Sequence, residues 1–199
     1  MEIGVIGYQG DVEEHINILR KIAHVRKNQI KKIKTTSDLK KVSGIIIPGG
    51  ESTTIYKLMK ENDLIDEIKG MVRDGVPLMG TCAGLILISR ETNDDRVKGM
   101  NLIDVEIQRN GYGRQKDSFS KIIEVKDIGE FEAVFIRAPR IKNAKNCEIM
   151  ASLEKEPVFV RDKNVLGLTF HPELTNNTKI HEYFIDMVKR ERGPFPLEV

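Results

Sequence analysis

VPLMGTCAG, at residues 76–84, joins an apolar strand pattern at 76–79 to a glycine-rich turn, and a helix pattern follows at 83–89. Residues 44–52, GIIIPGGES, repeat this arrangement, because a β-branched run stops at Pro-Gly-Gly and leads into another helix pattern. Strands that are apolar throughout and alternate with helices are typical of a parallel sheet covered on both faces. The two stretches therefore predict an α/β fold.

The rest of the chain extends this pattern in both directions. Residues 3–6 and 29–34 are predicted to be further strands, and Asp11 and Ser52 are predicted to cap the helices that follow them. The second half is richer in short strand patterns, at 102–107, 121–125, 133–136, 158–161 and 165–170. We expect one domain over residues 1–199, with a mostly parallel central sheet and helices on both faces.

Composition excludes several classes of protein. The chain has 199 residues, a formal net charge of +2 and two cysteines, so it is neither a disulfide scaffold nor a strongly basic nucleic-acid-binding protein. It has no signal-peptide pattern and no apolar run near the ~20 residues that span a bilayer. We therefore expect a cytoplasmic protein without a nucleic-acid or membrane partner.

The carboxyl ends of the predicted parallel strands should hold the functional residues, since ligands bind there in such sheets. Cys82 stands between two glycines, each two residues away, as the nucleophile does in a tight strand-to-helix elbow. The helix N-terminus beyond such a turn favours a thiolate. Cys82 is therefore a candidate nucleophile, although the same pentapeptide would also suit a small buried cysteine.

Two further strand ends complete this hypothesis. His171 and Glu173 flank a proline that should keep the segment extended, so that both side chains project to the same side. A thiol, a base and an acid that orients the base form a nucleophilic triad. The backbone N–H groups of Gly50 and Ala83 are natural donors for an oxyanion hole.

These motifs, in this order, resemble the class I (triad) glutamine amidotransferases, whose fold is flavodoxin-like. The segments Gln9-Gly10, 108–115 (QRNGYGRQ), 135–139 (FIRAP) and 169–175 (TFHPELT) are similar to those of the glutaminase subunits of pyridoxal 5′-phosphate synthase. The resemblance runs from residue 3 to the last helix. It implies hydrolysis of L-glutamine to L-glutamate and ammonia, through a glutamyl thioester on Cys82.

The resemblance also implies roles for further residues and for a partner. Substrate would be bound by six residues, namely Gly50, Glu51, Ser52, Arg109, Ile136 and Arg137, and Gln9 would lie near the oxyanion hole. Arginine suits this role because its guanidinium matches the carboxylate of a free amino acid. The partner would be a (β/α)₈-barrel synthase subunit in a hetero-oligomeric complex, to which the ammonia passes.

Alternatives remain open at this point. The chain could be the glutaminase of another pathway, such as histidine or purine biosynthesis, a lone cysteine hydrolase of γ-glutamyl substrates, or an inactive interaction module.

Cys147 lacks an elbow and is predicted to be structural, and we expect no metal site and no cofactor. The other histidines, His15, His24 and His181, are predicted to lie on the surface or at the rim of the site.

Overall fold

A computed structural model describes residues 1–23, 25–109, 111 and 118–191 of the chain. The strands in this part are β1 (Ile3–Ile6), β2 (Ile30–Ile33), β3 (Gly44–Ile47), β4 (Leu78–Thr81), β5 (Ser89–Thr92), β6 (Ile103–Gln108), β7 (Ser118–Val125), β8 (Gly129–Ile136), β9 (Arg140–Ala144), β10 (Glu148–Leu153), β11 (Glu156–Asp162) and β12 (Val165–Leu168). The helices are α1 (Val12–Lys21), α2 (Thr36–Leu39), α3 (Ser52–Glu61), α4 (Leu64–Arg73), α5 (Ala83–Ile88) and α6 (Lys179–Glu191).

The central sheet has seven strands in the order β10-β11-β12-β4-β3-β1-β2. The pairs from β12 through β4, β3 and β1 to β2 are all parallel. Only the edge formed by β11 and β10 is antiparallel. The structure therefore confirms the predicted α/β fold with a mostly parallel sheet.

Both faces of this sheet are covered by helices, as the apolar strands predict. In β3, Ile46 packs into one hydrophobic core with residues of α1 and α6, such as Leu19 and Phe184. Its neighbours Ile45 and Ile47 point into the opposite core, which contains residues of α3, α4 and α5. A strand whose two faces are both buried has no polar positions, which explains the continuous apolar run in the sequence.

The second half also builds two smaller sheets, β5-β6-β9 and β7-β8. The strand patterns at 102–107, 121–125 and 133–136 are thus confirmed, although they lie outside the central sheet. The sequence patterns missed β5, β9 and β10, whose polar residues hide the period of a strand. The helix predicted to reach Ser89 ends at Ile88, because Ser89 instead starts β5 and pairs with Ile103.

Hydrogen bonds connect the loops at the carboxyl ends of the central strands. Asp11 N–H donates to the carbonyl of Gly49 at 3.2 Å, and Cys82 N–H donates to that of Leu168 at 2.9 Å. His171 N–H donates to the carbonyl of Val134 at 2.8 Å, which connects the β7–β8 hairpin to this edge. The predicted strand ends therefore meet at one rim.

No helix in the described part of the chain combines the length and apolar character that crossing a bilayer requires.

Candidate active site

Cys82 occupies a sharp turn between β4 and α5, as the sequence predicts. Its backbone has φ 48° and ψ −101°, a conformation that non-glycine residues rarely adopt. The turn also depends on Gly84, because a Cβ at this position would lie 2.0 Å from the backbone carbonyl oxygen of Ile47. Strain of this kind persists where the surrounding structure holds it, and it is characteristic of active sites. The Cys82 Sγ lies 3.9 Å from the carbonyl oxygen of Ile136.

His171 and Glu173 form the expected pair, but on a different backbone. Nδ1 of His171 lies 2.8 Å from Oε1 of Glu173, and both side chains are buried. The prediction that the segment stays extended was wrong beyond His171, since Pro172–Leu174 form a 3₁₀ turn. A proline fits the first position of such a turn, because its missing N–H would have no partner there.

Asp11 is a site residue that the sequence patterns missed. It was predicted to cap α1, but its carboxylate makes no cap hydrogen bond. Oδ2 of Asp11 instead lies 3.1 Å from Nδ1 of His171. The available signal was its position directly after Gln9-Gly10, at the carboxyl end of β1.

Charges around the imidazole favour its protonated form. Burial alone would lower the pKa of His171, but interactions with the Asp11 carboxylate, the Cys82 sulfur and the Glu173 carboxylate outweigh it and raise the pKa to about 12. Burial raises the pKa of Glu173, while the hydrogen bond to His171 lowers it in part. An imidazolium beside Cys82 stabilises the thiolate, which is the nucleophilic form.

The loop after β3 is held by Glu51 rather than by Ser52. The Glu51 carboxylate caps α3 by accepting hydrogen bonds from the backbone N–H groups and hydroxyls of Thr53 and Thr54. Burial alone would raise the pKa of Glu51, but these hydrogen bonds lower it to about 2. The prediction that Ser52 caps the helix was therefore wrong, and its buried hydroxyl has no hydrogen-bond partner among the described residues.

Gln9 and Gly50 lie against each other at the edge of this loop. The Gln9 side-chain oxygen accepts a hydrogen bond of 3.0 Å from Glu51 N–H. Gly50 has φ 142°, and a Cβ there would lie 2.5 Å from the same Gln9 oxygen. Glycine is thus required by both the backbone conformation and the close approach of Gln9.

A cavity of about 420 Å³ brings the predicted site residues together. It is lined by Gln9, Asp11, Gly50, Glu51, Ser52, Cys82, Ala83, Ile86, Arg109, Ile136, Arg137 and His171. Only Glu173 among the predicted residues is not part of the lining, because it lies behind His171. The Arg109 guanidinium contacts Asp94 and lies 3.5 Å from Glu51, so its position is set by acidic neighbours.

His15 and His181 are not surface residues, which corrects the sequence-based prediction. Both side chains are fully buried, and they contact each other behind Glu173. The helical patterns of α1 and α6 place these residues on the inner faces, but a histidine alone does not indicate burial. His24 and five residues of the segment 108–115, including Arg114 and Gln115, lie outside the described residues.

Two other groups have simpler roles. The Cys147 thiol lies 3.6 Å from the carbonyl oxygen of Asp104, and burial raises its pKa to about 11, so it is a poor nucleophile at neutral pH. Within the described ranges, one group of three potential metal ligands occurs, formed by Asp11, His171 and Glu173 within 4.8 Å. Its carboxylates already contact Nδ1 of His171, which suits acid–base chemistry.

Comparison with known proteins places this chain in a family. The model of the SNO glutamine amidotransferase family matches residues 5–190. Pyridoxal 5′-phosphate synthase subunit PdxT of Thermoplasma volcanium is 58% identical over 188 residues, which cover 94% of each protein. The protein of the same name from Thermoplasma acidophilum is 53% identical and covers 97% of this chain and 96% of its own length.

A solved structure described as a glutamine amidotransferase has the same fold as this chain. It superposes with a TM-score of 0.88 and 36% sequence identity, and the match covers 95% of this chain and 100% of that one. The family model and the two relatives each match more than nine-tenths of this chain. The chain therefore belongs to the SNO glutamine amidotransferase family.

Proposed function

We propose that this chain is the glutaminase subunit of a pyridoxal 5′-phosphate synthase. The observation that carries the proposal is the strained Cys82 elbow, which faces a cavity beside a His171–Glu173 pair. Family membership supports glutamine as the substrate, and the names of the two Thermoplasma relatives support the synthase. The cavity also offers Arg109 and Arg137 for the carboxylate of a free amino acid.

The reaction uses Cys82, His171 and Glu173 as its catalytic residues. The Cys82 thiolate attacks the side-chain carbonyl carbon of glutamine, and the developing oxyanion is stabilised by the N–H groups of Gly50 and Ala83, near Gln9. Protonated His171 gives its proton to the leaving nitrogen, the C–N bond of the tetrahedral intermediate breaks, and ammonia departs to leave a glutamyl thioester on Cys82. Water then attacks the thioester carbonyl, and His171 accepts a proton from the water. The C–S bond breaks, which releases glutamate and returns Cys82 to the thiolate form.

Ammonia is a neutral, volatile nucleophile that water protonates, so a synthase gains from receiving it directly. We assign as partner a (β/α)₈-barrel synthase subunit that docks at the cavity rim and takes up the ammonia. A glutaminase that works only when docked does not waste glutamine. The isolated chain is therefore expected to have feeble activity.

A glutaminase assay with and without the barrel subunit tests the proposal. Glutamate release should rise strongly when the barrel subunit is added, and Cys82→Ala should abolish it in both conditions. Cys147→Ala is the matched control and should keep wild-type activity. Activity that survives Cys82→Ala would overturn the mechanism, and equal rates with and without the barrel subunit would overturn the docking.

The competing hypotheses give different results in the same assay. A glutaminase of histidine or purine biosynthesis would be stimulated by the synthase of that pathway and not by the barrel subunit. A lone hydrolase would cleave γ-glutamyl peptides without any partner. An inactive module would release no glutamate under any of these conditions.

A further inference from the structure

Behind the candidate triad, three elements contribute a row of fully buried polar side chains. His15 comes from α1, His181 from α6, and Thr81 from the end of β4, directly before Cys82. Nδ1 of His15 lies 3.0 Å from Nε2 of His181, and Nε2 of His15 lies 3.1 Å from the Thr81 hydroxyl. The same Nε2 lies 3.4 Å from Oε2 of Glu173.

The chemistry of these atoms determines where the hydrogens lie. An ionised carboxylate carries lone pairs and no hydrogen, so Glu173 Oε2 at 3.4 Å electrostatically favours a hydrogen on Nε2 of His15, which the Thr81 hydroxyl can accept. Nδ1 of His15 is then an acceptor, and it receives the hydrogen of His181 Nε2. The opposite arrangement would aim a lone pair at the carboxylate and leave a buried N–H on Nδ1 of His181, which has no partner among the described residues.

Both rings are neutral in this arrangement. Burial lowers the pKa of His15 well below its usual value, and the nearby His181 and His171 lower it further. Burial lowers the pKa of His181 to about 3. Each ring therefore has one hydrogen, and the hydrogen bonds run in one direction, from His181 through His15 to the Thr81 hydroxyl, with the His15 N–H also facing Glu173.

Two imidazoles consequently face the Glu173 carboxylate, one through a hydrogen bond to Oε1 and one through an electrostatic contact of 3.4 Å with Oε2. His171 contacts Oε1 on the cavity side, and His15 approaches Oε2 from the protein interior. The two contacts together restrict the rotation of the carboxylate. The interior donor also offsets part of the free-energy cost of burying its charge.

We propose that His15, supported by His181, is a positioning residue that keeps Glu173 ionised and oriented toward His171. The proposal rests on the glutaminase function proposed above. Neither histidine touches the cavity, so both act through Glu173 and not on the substrate. Since His15 also contacts Thr81, the row fixes the carboxylate relative to the residue that precedes Cys82.

Kinetics in complex with the barrel subunit provide the first test. His15→Leu should lower kcat about tenfold, as expected when about one pKa unit of favourable interaction with the Glu173 charge is lost, with little change in KM for glutamine. Without its donor Glu173 takes up a proton more readily, so the acid limb of the pH–rate profile should move to higher pH. His15→Gln keeps an N–H near the position of Nε2 and should restore most of the rate.

Ile16→Ala is the matched control, because it removes a buried side chain of the same helix that packs only in the apolar core. It should lower the melting temperature while kcat and the acid limb stay at wild-type values. The proposal is overturned if His15→Leu keeps the wild-type kcat and pH profile. It is also overturned if Ile16→Ala reproduces both changes seen in His15→Leu.

Nitrogen-15 NMR of the histidines in the wild-type chain provides a second test that requires no activity. The chain has four histidines, so assignment by substitution is practical. His15 and His181 should both be neutral at pH 6, with hydrogen on Nε2. A hydrogen on Nδ1 of His15 would overturn the proposal. A wild-type chain that is inactive with the barrel subunit would refute the proposed function, and the NMR result would then decide the hydrogen-bond row separately.

Discussion

The carboxylate of Asp11 lies 3.1 Å from Nδ1 of His171, on the same ring nitrogen that Glu173 contacts at 2.8 Å. Two carboxylates thus share one imidazole nitrogen, one at the edge of the cavity and one fully buried behind the ring. Both contacts help to raise the pKa of His171. The two carboxylates therefore act differently on His171, because Glu173 orients the ring and Asp11 adds negative charge near it.

Replacing Asp11 with asparagine should lower the pKa of His171 while Cys82, His171 and Glu173 stay in place. The variant loses one contact that raises the pKa of His171, so His171 loses its proton at lower pH. The alkaline limb of the pH–rate profile should therefore move to lower pH by about one unit, and kcat should fall mainly in the alkaline range. Glu14→Gln, an exposed change on the same helix, should leave the profile unchanged, and an unmoved alkaline limb in Asp11→Asn would contradict the role of Asp11.

Replacing Glu173 with glutamine should have a larger effect on the rate. Glutamine can present its N–H to His171, which selects the wrong tautomer and removes the counter-charge of the imidazolium. We expect kcat to fall on the order of 10⁴-fold, by analogy with the loss of the triad acid in serine proteases. Circular dichroism should show a native fold, and a folded variant with wild-type kcat would exclude Glu173 from the triad.

Two glycine substitutions should have opposite effects on stability. In Gly84→Ala the new Cβ meets the Ile47 carbonyl at 2.0 Å, so the elbow must shift, and we expect a loss of about 2 kcal/mol together with most of the activity. Gly70 in α4 has open space around the same position, and Gly70→Ala should raise the free energy of unfolding by about 0.5–1 kcal/mol. Urea unfolding measures both changes, and equal effects of the two substitutions would refute the packing argument.

Asp94 should influence substrate binding through Arg109. Its carboxylate contacts the guanidinium, while Asn93 accepts a hydrogen bond from Arg109 N–H at 2.9 Å. Asp94→Asn should let the guanidinium move and raise KM for glutamine several-fold, with kcat nearly unchanged, as expected for loss of uniform binding. Asp95→Asn, at an exposed position next to it, should keep the wild-type KM. A normal KM in Asp94→Asn would indicate that Arg109 is positioned by other groups.

The fold and the main site residues could be predicted because local sequence and local structure agree there. The apolar run of β3 is explained by burial on both faces, and the glycines around Cys82 by the close approach of Gly84 to Ile47. Patterns of this kind depend on neighbours in the chain. They indicate which strand ends carry chemistry and that these ends share one rim.

The sequence by itself determined that Cys82 stands on a strand-to-helix elbow and that His171 and Glu173 follow a parallel strand. Only the tertiary structure decided which side chains surround them. Asp11 contacts His171 instead of capping α1, and Glu51 takes the capping role predicted for Ser52. The buried contact between His15 and His181 joins residues 166 positions apart. Such contacts depend on how distant helices pack on the sheet, and a polar side chain in a helical pattern does not reveal whether its partner is water or another buried group.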